Sequence, residues 1–179
     1  VPEVLACSED EMAYLLSDLG NDALFDLYGK AVKTGEGIEV VEDLLCKTME
    51  SLPKIQFKGA EDLNFENCTS VKRFDRRLVM FDLNYFKYCF LMPSGLEIDV
   101  VQLQDDFERF ADDLTEGEDT HTFLYRDFNS RNVMVYEGTP YFIDFQGGMR
   151  GPIYYDIASF VWHARSGYPE SLKTRMMEV

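Results

Sequence analysis

Two short stretches of this sequence combine polar residues with flanking apolar runs. They are Tyr125-Arg126-Asp127-Phe128-Asn129-Ser130-Arg131-Asn132-Val133-Met134-Val135 and Phe142-Ile143-Asp144-Phe145-Gln146. The apolar runs 123–125, 133–136 and 141–143 predict short strands, with a hairpin turn at 137–140. Because strands hold the adjoining loops rigidly, we expect these loops to present a functional site.

The residue types in the two loops suit phosphoryl transfer. That reaction needs a carboxylate to orient the attacking hydroxyl and accept its proton, and oxygen ligands to hold magnesium against a triphosphate. In the kinase arrangement an Arg-Asp-x-x-x-x-Asn loop supplies the base and one ligand, and an Asp-Phe pair on the next hairpin supplies the other. Asp127, Asn132 and Asp144 fit these roles in that order.

An Asp-x-x-x-x-Asn spacing alone carries little information. Asp62 and Asn67 have the same spacing, but no Arg precedes Asp62, no apolar strand follows Asn67, and no Asp-Phe pair comes one hairpin later. The full arrangement of strands, loop, turn and Asp-Phe pair therefore favours a site at 125–146.

The second half of the chain resembles the aminoglycoside phosphotransferase and choline kinase superfamily, which has the protein-kinase-like fold. The resemblance runs from Tyr125 to Phe160 and includes Gly151-Pro152-Ile153-Tyr154-Tyr155-Asp156-Ile157-Ala158 beside the two loops above. Within the superfamily, these motifs are most similar to those of bacterial kinases that phosphorylate N-acetylmuramate and N-acetylglucosamine at the anomeric carbon. Met12 to Gly20 also resembles the strand and hinge that join the two lobes.

The resemblance implies ATP and Mg²⁺ as cofactors. It makes Asp127 the catalytic base and Asn132 and Asp144 the magnesium ligands, in agreement with the chemistry above. The backbone of Ser17, Asp18 and Leu19 would hydrogen bond adenine.

Three further residues near the catalytic loop have roles implied by the resemblance. Asp156 matches an Asp that holds this loop through backbone contacts, and a helix N-cap is an equally good interpretation. Arg126 is counted with the catalytic residues, either through a structural ion pair or through contact with substrate. Tyr125 stands where the family usually has His.

The fold class expected is α+β: a protein-kinase-like fold with a mostly helical large lobe and the end of the small β lobe. Residues 1–19 would be the end of the N-terminal lobe and the hinge, and 20–179 a truncated C-terminal catalytic lobe. Apolar periodicity predicts helices over 38–52, ended by Pro53, from Asp75 to Pro93, over 100–114 and over 155–165. Asp75 is the expected N-cap of the second of these helices, with Leu78, Phe81, Tyr85 and Tyr88 on one apolar stripe. A hairpin is expected at 4–16.

Composition excludes some classes of function. The chain has 179 residues with 17 basic and 33 acidic side chains, a net charge of −16, which argues against nucleic acid as a partner. Apolar runs are too short for a membrane span, and no signal peptide is recognisable. The four widely spaced cysteines predict reduced core thiols in a cytoplasmic protein.

The function expected is ATP-dependent transfer of the γ-phosphate to a hydroxyl of a small molecule, most naturally an amino sugar at its anomeric position. Aminoglycoside, choline and homoserine-type kinases, or a catalytically inactive nucleotide-binding module, remain alternatives. The family's phosphate loop and Lys/Glu pair would lie upstream, and without this nucleotide clamp we expect the chain alone to be inactive. In a sugar kinase the acceptor pocket should form near Asp82, Asn84, Tyr85 and Lys87. The sequence gives no indication of oligomeric state.

Overall fold

The chain opens with a β-hairpin and then becomes mainly helical. The computed structural model describes residues 1–68, 71–116 and 121–179. The strands are β1 (Val4–Cys7), β2 (Tyr14–Leu16), β3 (Phe123–Leu124), β4 (Val133–Tyr136), β5 (Thr139–Phe142) and β6 (Met149–Arg150). The longer helices are α1 (Leu24–Thr34), α2 (Ile38–Pro53), α4 (Arg76–Phe86), α5 (Val100–Thr115), α6 (Ile153–Val161) and α7 (Glu170–Met177), with a short α3 (Gly59–Glu61). The expected α+β class is confirmed.

The strands form antiparallel pairs: β1 with β2, β3 with β6, and β4 with β5. In the β4–β5 hairpin Val133 faces Phe142, and the turn is made by Glu137 and Gly138 with φ angles of 49° and 73°. This left-handed turn matches the twist of a tight hairpin. The prediction of this hairpin is confirmed, although β5 begins at Thr139 and not at 141.

The main hydrophobic core lies between α1, α2, the β4–β5 hairpin and the last two helices. Leu24, Leu45 and Phe160 are fully buried in it. Helix α1 was not predicted, although its buried residues Leu24, Tyr28 and Ala31 follow helical spacing. Helix α7, which buries Leu172 and Met176 in the same core, was not predicted either.

Helix α2 ends at Pro53, as expected, but the helical path of the chain does not end there. The chain continues through a π-helical turn at Lys54–Lys58 into α3. Pro53 adopts helical angles, φ −60° and ψ −33°. Because proline lacks an N–H, it removes one rung of the hydrogen-bond ladder, and a wider turn can follow without ending the helical path. This turn buries Gln56.

Asp75 caps α4, as expected, and its carboxylate accepts a hydrogen bond from Leu78 N at 3.0 Å. The expected apolar stripe was wrong, however, because Phe81, Tyr85 and Tyr88 are more than 60% exposed. The buried residue of α4 is Val79, in a smaller core with Phe74, Ala111, Leu124 and Met149. The helical path also continues past Phe86 as a π-helical turn at Lys87–Leu91.

Two smaller expectations also need correction. The four cysteines are free, but Cys46 is the one that is buried, Cys68 is half-buried, and Cys7 and Cys89 are exposed. The last predicted helix begins earlier and ends earlier than 155–165, because Pro152 forms the N-cap of α6 and the helix ends at Val161. Within the described ranges, no helix has the length and apolarity needed to span a membrane.

The burial pattern of α2 gives a direct test of the core. We expect Leu45→Ala to lower the free energy of unfolding by about 2–5 kcal/mol, since it removes a fully buried side chain and leaves a cavity. Val40→Ala on the exposed side of the same helix is the control and should change it by less than about 0.5 kcal/mol. Urea unfolding measures both, and equal losses would contradict this placement of the core.

Candidate active site

The loop that follows β3 carries Asp127 at the surface. Its neighbour Phe128 is 1% exposed and packs against Phe142 and Phe160, so the loop is anchored in the main core while Asp127 faces solvent. Asn129 accepts a hydrogen bond from Arg131 N at 3.0 Å and starts the short 3-10 turn that leads into β4. The buried aromatic ring thus fixes the base of a loop that presents a carboxylate.

Asn132 folds back onto the residue that carries this carboxylate. Its Nδ2 donates to the backbone carbonyl of Asp127 at 2.9 Å, and Asn129 Nδ2 donates to the same oxygen at 2.9 Å. The amide nitrogen of Asn132 is therefore engaged, and Oδ1 is the side-chain atom that can coordinate a cation. These two hydrogen bonds close the loop between residues 127 and 132.

Asp144 is brought to this loop by the β4–β5 hairpin. Ile143 N donates to Asn132 O at 3.1 Å, so Asn132 and Asp144 emerge from the same end of the hairpin. A Cβ added at Gly147 would lie 3.4 Å from Asp127 Oδ2, so the segment after Asp144 lies beside the Asp127 carboxylate. The three residues with predicted catalytic and metal roles therefore come from adjoining loops.

The donor set formed here is suited to a hard divalent cation. Asp144 and Asn132 offer carboxylate and amide oxygens, and magnesium in phosphoryl-transfer sites commonly takes one or two carboxylates together with phosphates and water. Gln146 Nε2 donates to Asp144 Oδ1 at 2.9 Å and orients that carboxylate. In the described part of the chain, no cluster of three or more His, Cys, Asp or Glu side chains could hold a metal. The arrangement fits a magnesium ion that substrate phosphates help to bind.

Asp156 binds the backbone at the start of the Asp127 loop through hydrogen bonds. It is fully buried, and its carboxylate accepts from Tyr125 N at 2.9 Å, from Arg126 N at 2.9 Å and from Gln56 Nε2 at 3.0 Å. Burial raises the pKa of Asp156 to about 6, and these hydrogen bonds, Tyr125 N first, oppose that rise. Asp156 is not the N-cap of α6, a position taken by Pro152.

Tyr125 connects the two loops. It is 1% exposed, and its hydroxyl donates to the carbonyl of Ile143, the residue before Asp144. Burial raises the pKa of this phenol, and the nearby Asp144 carboxylate raises it further. A hydroxyl that donates a hydrogen bond in a buried site remains neutral. Tyr125 therefore links the Asp127 loop to the Asp144 loop through this hydrogen bond.

Arg126 makes an ion pair with α4. Its Nη2 lies 3.2 Å and 3.3 Å from the two carboxylate oxygens of Asp82, and its guanidinium lies over the Phe74 ring at 5.8 Å. Its backbone is left-handed, with φ 73°, as is that of Asp144, with φ 68°. Such angles in residues other than glycine are costly and persist where surrounding contacts enforce them.

The predicted hinge lies at the edge of a cleft of about 490 Å³. Val4, Tyr14 and Leu16 of the N-terminal hairpin line one side of it, and 143–146 line the other. Ser17 comes directly after Leu16, but its N–H already donates to Glu3 O at 2.9 Å. Asp18 Oδ1 accepts from Gly20 N at 2.8 Å, and Leu19 is buried.

Comparison with known proteins agrees with this geometry. The Phosphotransferase enzyme family matches residues 91–178, which contain the whole of both loops and Asp156. Two curated relatives are the N-acetylmuramate/N-acetylglucosamine kinases of Neisseria meningitidis serogroup B and Pseudomonas aeruginosa.

Each of the two relatives is 27% identical to this chain. The alignments include 90% and 95% of the chain and 46% of each relative, so the chain spans about half the length of the curated relatives it matches. The match therefore supports the phosphotransferase assignment at the level of the family.

Two residues that contact the candidate site were not predicted as its partners. Gln56 and Asp82 lie 100 and 44 positions away from the residues they contact, Asp156 and Arg126. A buried glutamine after a proline gives no pattern that identifies its partner. Asp82 was expected near the acceptor pocket, but no sequence pattern pairs it with Arg126.

The burial of Asp156 leads to a prediction about stability. In Asp156→Asn an amide NH₂ replaces one oxygen and faces the backbone N–H groups of Tyr125 and Arg126. We expect a loss of about 1–3 kcal/mol in the free energy of unfolding for each donor left unpaired. Asp113→Asn, at an exposed site on α5, is the matched control.

The size of that loss should depend on pH. The folded-state pKa of Asp156, about 6, lies above the ordinary value of 3.8, so the folded protein binds the extra proton between these values. The contribution of Asp156 to stability is then greatest below pH 4 and falls as pH rises to 6. The stability difference between wild type and Asp156→Asn should accordingly be larger at pH 4 than at pH 7. Denaturant unfolding at both pH values checks this, and a difference that grows with pH would contradict it.

Proposed function

We propose that the protein is an ATP- and Mg²⁺-dependent kinase that transfers the γ-phosphate to a hydroxyl of a small molecule, an amino sugar at its anomeric position. The observation that carries the proposal is the contact between the two loops. The exposed Asp127 carboxylate adjoins the segment that follows Asp144, and Asn132 lies at the same end of the hairpin. A base beside two oxygen ligands supplies the acceptor-orienting and metal-binding parts of a phosphoryl-transfer site.

The nucleotide would bind in the cleft between the N-terminal hairpin and residues 143–146. In this arrangement residues 1–19 are the end of a small lobe and residues 20–179 belong to the catalytic lobe. The adenine ring would lie against the apolar side chains of Val4, Tyr14 and Leu16, and the phosphates would extend toward Asp144. Since Ser17 N is already engaged, the hinge would contact adenine through its carbonyls and through the N–H groups of Asp18 and Leu19.

Asn132 Oδ1 and Asp144 would hold the magnesium ion, which when bound neutralises phosphate charge. Gln146 keeps the Asp144 carboxylate oriented, and Tyr125 fixes the carbonyl that precedes it. These supports matter because phosphoryl transfer depends mainly on positioning and on charge neutralisation.

Asp127 would orient the acceptor hydroxyl and take up its proton. The acceptor oxygen forms a bond to the γ-phosphorus while the bond from that phosphorus to the β,γ-bridging oxygen breaks, and ADP leaves. The proton of the hydroxyl moves to the Asp127 carboxylate. Asp127 is exposed and its loop is fixed on both sides, so the carboxylate can meet an acceptor without rearrangement of the backbone.

The printed names of the two relatives, both N-acetylmuramate/N-acetylglucosamine kinases, support an amino sugar as the acceptor. We also propose that the protein is cytoplasmic. The four cysteines are free and would stay reduced there, and ATP as the donor is consistent with this location.

The assignment of Asp127 can be tested in the full-length protein. Asp127→Asn keeps the shape of the side chain but removes the base, so kcat should fall by about 10²- to 10⁴-fold. The affinity for Mg²⁺-ATP, measured by calorimetry, should remain within about threefold, a range of under 1 kcal/mol. Asp62→Asn is the matched control, because Asp62 and Asn67 repeat the spacing of Asp127 and Asn132 outside the site.

Two results would reject parts of this proposal. Full turnover by Asp127→Asn would remove Asp127 from the base role. Tight binding of Mg²⁺-ATP by the wild type, with no phosphorylation of amino sugars, aminoglycosides, choline or homoserine, would indicate a nucleotide-binding module in place of a kinase.

A further inference from the structure

Buried polar groups without partners occur at the Asp127 loop, residues 125–132. In the part of the chain that the structure describes, three buried side-chain atoms have no hydrogen-bond partner: Arg126 Nη1, Ser130 Oγ and the Tyr168 hydroxyl. Ser130 lies in the 3-10 turn of this loop and is 1% exposed, and Tyr168 lies between α6 and α7 and is 5% exposed. Because unpaired buried groups are rare in native proteins, two of them in one loop indicate a role there.

The ring of Tyr168 is held in the main core by other aromatic rings. It stacks on Phe160 with ring centroids 6.3 Å apart, and Phe160 packs against Phe128 of the Asp127 loop at 5.0 Å. Tyr28 of α1 packs edge-on against Tyr168, also at 5.0 Å. The position of the Tyr168 hydroxyl is therefore set by the packing of the core.

Two serine hydroxyls lie close to the Tyr168 hydroxyl. Burial raises the pKa of Tyr168, and the nearby hydroxyls of Ser130 and Ser166 lower it. Ser166 already has a partner, because its Oγ lies 3.2 Å from Nδ1 of His163. Among the described residues, Ser130 is thus the neighbour that, like Tyr168, still lacks a hydrogen bond. Each of these hydroxyls can donate and accept, so one bond between them would give both a partner.

A bond at Ser130 would act on the proposed metal ligand Asn132. Both residues belong to the 3-10 turn Ser130–Asn132, and Asn132 N donates to Asn129 O at 3.0 Å across this turn. An anchor from the core to Ser130 would therefore restrict the movement of Asn132 Oδ1 relative to the Asp144 carboxylate. Groups that orient a metal ligand commonly change metal affinity by about 10- to 100-fold when they are removed.

We propose that Tyr168 is a positioning residue of the candidate active site: its hydroxyl pairs with Ser130 Oγ when Mg²⁺-ATP binds, and this bond holds Asn132 in the position that ligates the metal. The inference rests on the proposed kinase function and adds a residue that acts from the core. Hydrogen bonds in active sites are often long in the free enzyme and shorten when substrate binds. Two unpaired buried hydroxyls raise the free energy of the unliganded form, so their pairing favours the liganded form.

Calorimetry of nucleotide binding to the full-length protein tests the pairing. Tyr168→Phe and Ser130→Ala should each raise the Kd for Mg²⁺-ATP at least about threefold, the size expected for one lost hydrogen bond. The Kd for ATP in the presence of EDTA should stay within about twofold of the wild type, because the bond acts through the metal ligand. An equal loss with and without Mg²⁺ would overturn the proposal.

The double variant Ser130→Ala/Tyr168→Phe tests whether the two hydroxyls act on each other. If both changes remove the same bond, the double variant should bind Mg²⁺-ATP within about twofold of the weaker single variant. Losses that multiply would show that the two hydroxyls act independently and would overturn the pairing.

Tyr28→Phe is the matched control. Tyr28 is also 5% exposed and packs against the Tyr168 ring, but the charge that raises the pKa of its buried hydroxyl further is that of Glu42. This variant should leave the Kd for Mg²⁺-ATP within about twofold. The melting temperature of Tyr168→Phe should change by less than about 3 °C, since the removed hydroxyl has no hydrogen-bond partner among the described residues. A lower melting temperature with an unchanged Kd would indicate a purely structural role and would overturn the proposal.

Binding and turnover measured side by side separate this inference from the proposed kinase function. Mg²⁺-ATP binding that depends on Tyr168, in a protein that phosphorylates no acceptor, would retain the positioning role and reject the kinase. Turnover of an amino sugar, with the same Kd for Mg²⁺-ATP in the wild type, Tyr168→Phe and Ser130→Ala, would retain the kinase and reject the positioning role. No binding of Mg²⁺-ATP to the wild type would reject both.

Discussion

The site depends on one buried carboxylate. Asp156 lies below the loop that carries Asp127 and accepts hydrogen bonds from the backbone N–H groups of Tyr125 and Arg126. Burying a charge is costly, as the raised pKa of Asp156 shows, and the hydrogen bonds that it accepts offset this cost. Because charge-assisted bonds are strong and directional, they determine where the loop begins relative to α6.

The supports of the site extend from that anchor to both sides. Tyr125 reaches from the loop to the carbonyl before Asp144, and Arg126 reaches to Asp82 on α4. These contacts hold Arg126 and Asp144 at left-handed backbone angles, which are uncommon for residues other than glycine. The loop that carries Asp127 is thus tied both to the segment before Asp144 and to α4.

Several elements were predictable because their signals are local. The capping carboxylate of Asp75 and the hairpin at 133–142 appear where sequence patterns place them. The course of the chain after Pro53 was not predictable, because the missing N–H is compatible either with an end of the helix or with a wider turn. The exposure of Phe81 and Tyr85 could not be read from spacing, since α4 turns Val79 toward the core instead.

The sequence by itself determined the order and the chemistry of the candidate site: a carboxylate, an amide five residues later, and a second carboxylate after one hairpin. The short spacing of these groups forces them together once the hairpin forms. Only the tertiary structure decided that Gln56 and Asp156 meet, that Arg126 pairs with Asp82, and that aromatic rings of α5 and α6 face one cavity with Asp82. Contacts between positions 44 or 100 residues apart arise from helix packing, and no local periodicity encodes them.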